Sequence, residues 1–220
     1  GGSTSASPGD IAADYLANVR RTQLDTLILT HLDEDHFNGV ERLLERVAVG
    51  QVVVPISAQG EESAQELETW LEARDIPCQW VEEEVDLSLG RMEVRIIPPL
   101  GSGTTNEEGL SVLCTVDEFD VLITGDADSY VEHMIVRYFV IPNIELLMVG
   151  HHGSKDSTGM ELLGWARPEL GIISVGADNS YGHPDEETLE RLRRSAVEVH
   201  RTDLEGTVTV AVQGDQVGIW

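Results

Sequence analysis

Thr30-His31-Leu32-Asp33-Glu34-Asp35-His36 stands where an apolar run, Thr26-Leu27-Ile28-Leu29, gives way to a helical pattern that begins after Asn38-Gly39. The pattern predicts the end of a buried strand leading into a helix. In extended backbone residues i, i+2 and i+4 share one face, so His31, Asp33 and Asp35 point together while His36 turns in from the helix start. A polar loop with solvated charges is the plain alternative, because acidic residues are mostly exposed. Four metal-type ligands packed this closely after a buried strand favour a site instead.

Three later stretches repeat the arrangement of apolar strand and polar loop. Residues 119–124 lead to Gly125-Asp126, residues 144–149 to Gly150-His151-His152-Gly153-Ser154-Lys155, and residues 169–175 to Asp178-Asn179-Ser180-Tyr181-Gly182-His183-Pro184. By default Asp126 or Asp128 would simply cap the helix expected over residues 130–140. The glycines beside His151-His152 let backbone come close to a ligand, and a helix expected from about Ser157-Thr158 offers N–H groups to an anion. Lys155, the single lysine among 14 basic residues, is a phosphate-contact candidate set against the plainer reading of a solvated surface lysine. His183 is a candidate substrate contact or proton donor, although a loop histidine is more often structural.

These motifs, in this order, resemble the metallo-β-lactamase fold. His31-x-Asp33-x-Asp35-His36 is similar to its H-x-H-x-D-H signature, with Asp33 at the second histidine position. Read with Thr124-Gly125-Asp126, the His151-His152 loop and Asn179-Ser180-Tyr181-Gly182-His183-Pro184, it resembles the metallo-β-lactamase-like domain of the ComEC family of DNA-uptake channel proteins. The resemblance implies an α/β fold, a four-layer αββα sandwich occupying residues 1–220 as one domain. In that family a pair of strands precedes the position of Gly1-Gly2, so the first strands are expected to be missing and one sheet edge incomplete.

The resemblance also implies a pair of metal ions, with Asp126 as a carboxylate bridging them. The assignment is His31 and Asp33 at one ion and Asp35 and His36 at the other, with His151 or His152 completing the set; the choice between the last two stays open. Asn106, in a loop where many relatives carry a histidine, is a possible polar contact. Asp35, His183 and Lys155 are the catalytic candidates, and Asn106, Ser154, Lys155 and His183 the substrate contacts. A ligand set rich in oxygen favours Mn2+, with Zn2+ or Mg2+ as alternatives. Three aspartates against two dications leave about one net positive charge, which suits a phosphate.

Composition bounds the rest. At 220 residues and 41% hydrophobic content the chain can hold one sizeable core. No apolar run approaches the ~20 residues of a membrane helix, and the first residues lack the features of a signal peptide. Cys78 and Cys114 lie in strand-like apolar surroundings and read as buried free thiols. A net charge of −26 lacks the basic stripe of a protein that tracks nucleic acid, so contact with DNA, expected as a single strand, is local to the site. The leading expectation is a metal-dependent phosphodiesterase or nuclease that degrades DNA during uptake. A small-substrate phosphoesterase and a non-catalytic accessory module of a membrane channel are the alternatives. Hydrolysis of β-lactams is disfavoured by Asp33 and by the missing third-motif histidine. Partnered with the channel portion of the same protein, the domain would lie on the outer face of the cell membrane; without it, a cytoplasmic enzyme is expected.

Overall fold

The structure, a computed structural model, describes residues 7–101, 108–213 and 216–220. The first part of the chain runs α1 (Pro8–Asn18), β1 (Gln23–Leu24), β2 (Leu27–Ile28), α2 (Glu34–Phe37), α3 (Val40–Arg46), β3 (Ala48–Val49), β4 (Val52–Pro55), α4 (Glu62–Glu72), β5 (Cys78–Val81), β6 (Val85–Leu89), β7 (Met92–Ile97), β8 (Ser111–Val116) and β9 (Phe119–Ile123). The remainder runs α5 (Ser129–Tyr138), β10 (Leu146–Met148), α6 (Met160–Ala166), β11 (Leu170–Ile173), α7 (Glu186–Arg194), β12 (Glu198–Arg201), α8 (Thr202–Glu205), β13 (Val210–Gln213) and β14 (Gln216–Ile219).

Side chains alternate across each strand, and that alternation stacks the layers. Val52 and Val54 of β4 share a core with Leu67 and Leu71 of α4, whereas the intervening Val53 joins Val94 and Ile96 of β7 and Val112 of β8. One residue further on, Leu113 belongs to a third core with Leu122 of β9, Leu162 and Leu163 of α6 and Leu192 of α7. The order is therefore helix, sheet, sheet, helix, the αββα sandwich of the metallo-β-lactamase fold.

Of the two central sheets one is parallel, in the order β2-β4-β5, and the larger has the order β12-β11-β10-β9-β8-β7-β6; β1-β3 and β13-β14 form two-stranded pairs. Antiparallel hairpins build the large sheet from β6 to β9, and parallel crossovers continue it to β12. Because β9, β10 and β11 are parallel neighbours, the loops that follow them open on the same edge, where ligands of such sheets bind. The loop after β2 is tied in by the Leu110 N–H, which donates to the Thr30 carbonyl at 2.7 Å.

Some local expectations are corrected. The helix expected from Ser157-Thr158 begins at Met160, because the N–H groups of Thr158 and Gly159 are turned onto the Glu132 carboxylate instead. Asp86 of β6 pairs with Arg95 across the ladder, and the Arg95 guanidinium meets Glu84 at 2.9 Å and Asp86 at 3.4 Å. Leu204 and Glu205 end the helical turn α8, and Gly206 follows it. Cys78 and Cys114 are free and only partly buried, and burial pushes both thiols up, that of Cys78 to about 11. Among the described residues no helix is long and apolar enough to cross a membrane.

Leu122 is fully buried at the centre of the large sheet, so Leu122→Ala is expected to lower the unfolding free energy by about 3 kcal/mol. Urea unfolding checks this, with Val140→Ala at an 81% exposed position expected to change it by less than about 0.5 kcal/mol.

Candidate metal centre

The chain after β2 stays extended to Asp33, whose backbone (φ −66°, ψ 152°) still lies outside α2. One helical turn follows, pinned by buried Phe37, whose ring stacks on Trp70 at 5.1 Å. His31 thus arrives from extended backbone and His36 from the helix. Gly125, at φ +60°, lets the next loop pass so close to Thr30 that a Cβ there would lie 3.1 Å from the threonine Cβ. Asp128 caps α5 by accepting from the Val131 N–H at 2.9 Å, which leaves Asp126 out of the capping role.

Asp126 is 7% exposed and lies among three histidines. Its Oδ2 is 3.7 Å from His31 Nε2 and 3.6 Å from His151 Nε2, and its Oδ1 is 3.3 Å from His36 Nε2. Asp35 Oδ2 in turn lies 3.6 Å from His36 Nε2 and 3.2 Å from His152 Nε2. Asp35, His36, Asp126 and His152 each offer a ligand atom, and the four atoms lie within 4.8 Å of one another. The adjacent histidines therefore face different partners, His151 the Asp126 carboxylate and His152 that of Asp35.

The ring nitrogens are set for metal binding. His152 Nδ1 is 2.7 Å from the Ser174 carbonyl oxygen, so it carries the proton and leaves the Nε2 lone pair towards the site. Thr30 Oγ1 lies 3.0 Å from His31 Nδ1 and orients that ring from behind. His31 Nε2 and His36 Nε2 are buried with no hydrogen-bond partner among the described residues. Lone pairs gathered around carboxylates repel unless a proton or cation lies between them, and imidazole nitrogen with carboxylate oxygen is a donor set that divalent ions accept. The residues present fit a metal.

Their protonation agrees. Burial, and then the charge of His36, push His31 down to about 4 against the pull of Asp126, Asp33 and Asp35, so its ring is neutral at pH 7. Burial would raise Asp126, but the close approach and charge of His36, with His31 and His151, outweigh it and hold the carboxyl at about 2.

Residues 2–176 match the family described as the Metallo-beta-lactamase superfamily. The chain belongs to the metallo-β-lactamase superfamily. It is 32% identical over 190 residues to "ComE operon protein 3" of Bacillus subtilis (84% of this chain, 24% of that protein). It is 31% identical over 198 residues to "Recombination protein 2" of Haemophilus influenzae (89% and 23%), and 31% identical over 207 residues to "Competence protein ComA" of Neisseria gonorrhoeae (92% and 27%). The chain thus spans about a quarter of the length of these curated relatives. Among solved structures it is similar to Tm1679, titled a metal-dependent hydrolase of the β-lactamase superfamily, with a TM-score of 0.58 and 13% identity over 87% of this chain and 82% of that one. The diiron β-hydroxylase CmlA of Streptomyces venezuelae gives a TM-score of 0.59 at 16% identity, over 82% of this chain and 44% of that one. At those identities the likeness is one of fold.

The remaining candidates of this metallo-β-lactamase-superfamily domain fall around the cluster. Asp33, half-buried, is close enough to act on the His31 charge but stands outside the four-atom group. The His183 ring is 5.7 Å from that of His151, on a loop braced by Asn179, which accepts from the His183 N–H at 2.9 Å and donates to its carbonyl at 2.8 Å. Burial, then His151 and His152, lower the His183 pKa. Lys155 is exposed, Ser154 is buried with its hydroxyl accepting from the Asp156 N–H, and Asn106 lies outside the described residues. The sequence reading passed over Glu132 and Arg191, which grip the His151-His152 loop from behind. A glutamate beside Val131, one turn before Ile135, on the apolar stripe of α5 was the available signal.

For the metal-free protein, His31 gives a pH dependence of known sign. Its folded pKa of about 4 lies below the ordinary imidazole value of 6.5, so its contribution is present above pH 6.5 and is lost as the pH falls towards 4. The loss amounts to about 3 kcal/mol. Urea unfolding of parent and His31→Gln in EDTA should show the stability difference shifting by that amount against the parent between pH 7 and pH 4.

Proposed function

We propose that this domain is a metal-dependent phosphodiesterase that cleaves DNA, as a single strand, during competence-type uptake. The observation that carries the reading is the buried Asp126 carboxylate, with His31 and His151 towards one oxygen and His36 towards the other. That division supports two ion positions: His31, Asp33 and His151 would hold one, Asp35, His36 and His152 the other, with Asp126 shared between them. Both loop histidines would then serve as ligands, one to each ion. With Asp33 in place of a histidine the set favours Mn2+, with Zn2+ and Mg2+ as alternatives.

Divalent ions held there would supply Lewis-acid activation of water and of the phosphoryl oxygens, as in other sites with two metals. The protein's own groups do the rest. Asp35, between His36 and His152, fixes the second ligand group. His183, beside His151 on its braced loop, is the group placed to contact the substrate and to donate a proton to the leaving oxygen. Lys155, exposed after the His151-His152 loop, contributes positive charge for the phosphate. The likeness to "ComE operon protein 3" and to "Competence protein ComA" supports the uptake setting. Joined to a membrane channel portion, the domain would work on the outer face of the cell membrane.

The net charge of −26 favours a second reading, a phosphoesterase for small substrates. A paired assay with Mn2+ separates them. Single-stranded DNA and bis(p-nitrophenyl) phosphate are both expected to be cleaved by the parent and neither by Asp35→Ala. Cleavage of the small ester alone would remove DNA from the account. Metal binding without either activity would make the domain an accessory module.

A further inference from the structure

The loop that carries His151 and His152 has a backbone that sequence preference does not favour. His151, His152, Gly153 and Thr158 all have positive φ, at 48°, 55°, 87° and 54°. Three of the four are not glycine, so surrounding contacts must hold the loop in this shape. Those contacts converge on two charged side chains the proposed chemistry does not use. Glu132, 1% exposed, accepts from the Thr158 N–H at 2.6 Å on one carboxylate oxygen and from the Gly159 N–H at 2.7 Å on the other. From the opposite side Arg191 donates to the carbonyls of Lys155 and Ser157 at 2.8 Å and of Thr158 at 3.1 Å.

The grip reaches the histidines through Thr158. Held by Glu132 in its left-handed conformation, Thr158 presents Oγ1 to the Gly150 N–H at 3.0 Å, and Gly150 immediately precedes His151. Ser157, fully buried, adds a hydrogen bond from its hydroxyl to the Ala127 carbonyl at 2.7 Å, next to Asp126. We infer that Glu132 is a positioning residue: acting through Thr158 and in concert with Arg191, its buried carboxylate sets the directions in which His151 and His152 present their Nε2 atoms to a metal ion. The inference rests on the reading of these histidines as ligands. Burial pushes the Glu132 carboxyl up to about 7, against the Gly159 and Thr158 amides and the Arg191 charge and with the help of Asp128. An ionised carboxylate accepts both N–H groups, whereas the protonated acid has one hydroxyl facing a donor, so the grip is tighter above neutral pH.

The test is Mn2+ binding by calorimetry to parent and Glu132→Gln between pH 6 and pH 8, with far-ultraviolet circular dichroism and thermal unfolding of the metal-free proteins alongside. Glu132→Gln is expected to bind Mn2+ about 10–100-fold more weakly at pH 8 while remaining folded. It is also expected to lack the part of the parent's pH dependence that titrates near pH 7. A residue of purely structural use would lower the unfolding temperature and leave the affinity of the folded protein unchanged; that result overturns the inference. If Glu132→Gln does not fold, Arg191→Lys decides, since it keeps the charge and loses the fork: weakened binding supports the inference and unchanged binding overturns it. A parent that binds no Mn2+ would overturn the metal-site reading itself, a different outcome from a parent that binds and a variant that binds equally well.

Discussion

A carboxylate buried among imidazoles needs a compensating charge, and Asp126 is such a carboxylate. Its oxygens face His31 and His36 from the loop after β2 and His151 from the loop after β10, so two sheets must deliver their strand ends to one place. The architecture follows from that demand. Val53 and Ile96 seal the two sheets together, and the helices on the outer faces close the remaining cores, which leaves the polar edge as the one place where these loops meet. A metal ion would convert the repulsion of converging lone pairs into the attraction that holds the loops closed.

Much of this was legible from the chain because the period of burial is simple. Apolar runs that end in His31, Asp126 or His151 read as strands with polar side chains at their ends, and β2, β9 and β10 bring those three side chains together. What escaped was non-local. Consecutive histidines in extended backbone would point to opposite faces, but in the left-handed turn at residues 151–152 each reaches a different carboxylate, and no spacing rule anticipates that. The start of α6 was misplaced for the same kind of reason. The carboxylate that takes the Thr158 and Gly159 N–H groups comes from Glu132 on another helix, and a sequence window around residue 158 does not contain it.

Electrostatics pull the domain in two directions. A field from −26 formal charges concentrates cations, which helps an imidazole and carboxylate site to load divalent metal, and it opposes the approach of a polyanion. Bound ions invert the sign only locally, over a distance that physiological salt limits to roughly 8 Å. On the proposed reading a substrate chain would be held at the phosphate next to the ions rather than along a track.

Anomalous diffraction from crystals soaked in Mn2+, at the manganese edge, tests the central claim most directly. The account predicts two peaks, one on each side of Asp126, the first contacted by His31 and His151 and the second by Asp35, His36 and His152. A single peak, or peaks that do not touch Asp126, would contradict it.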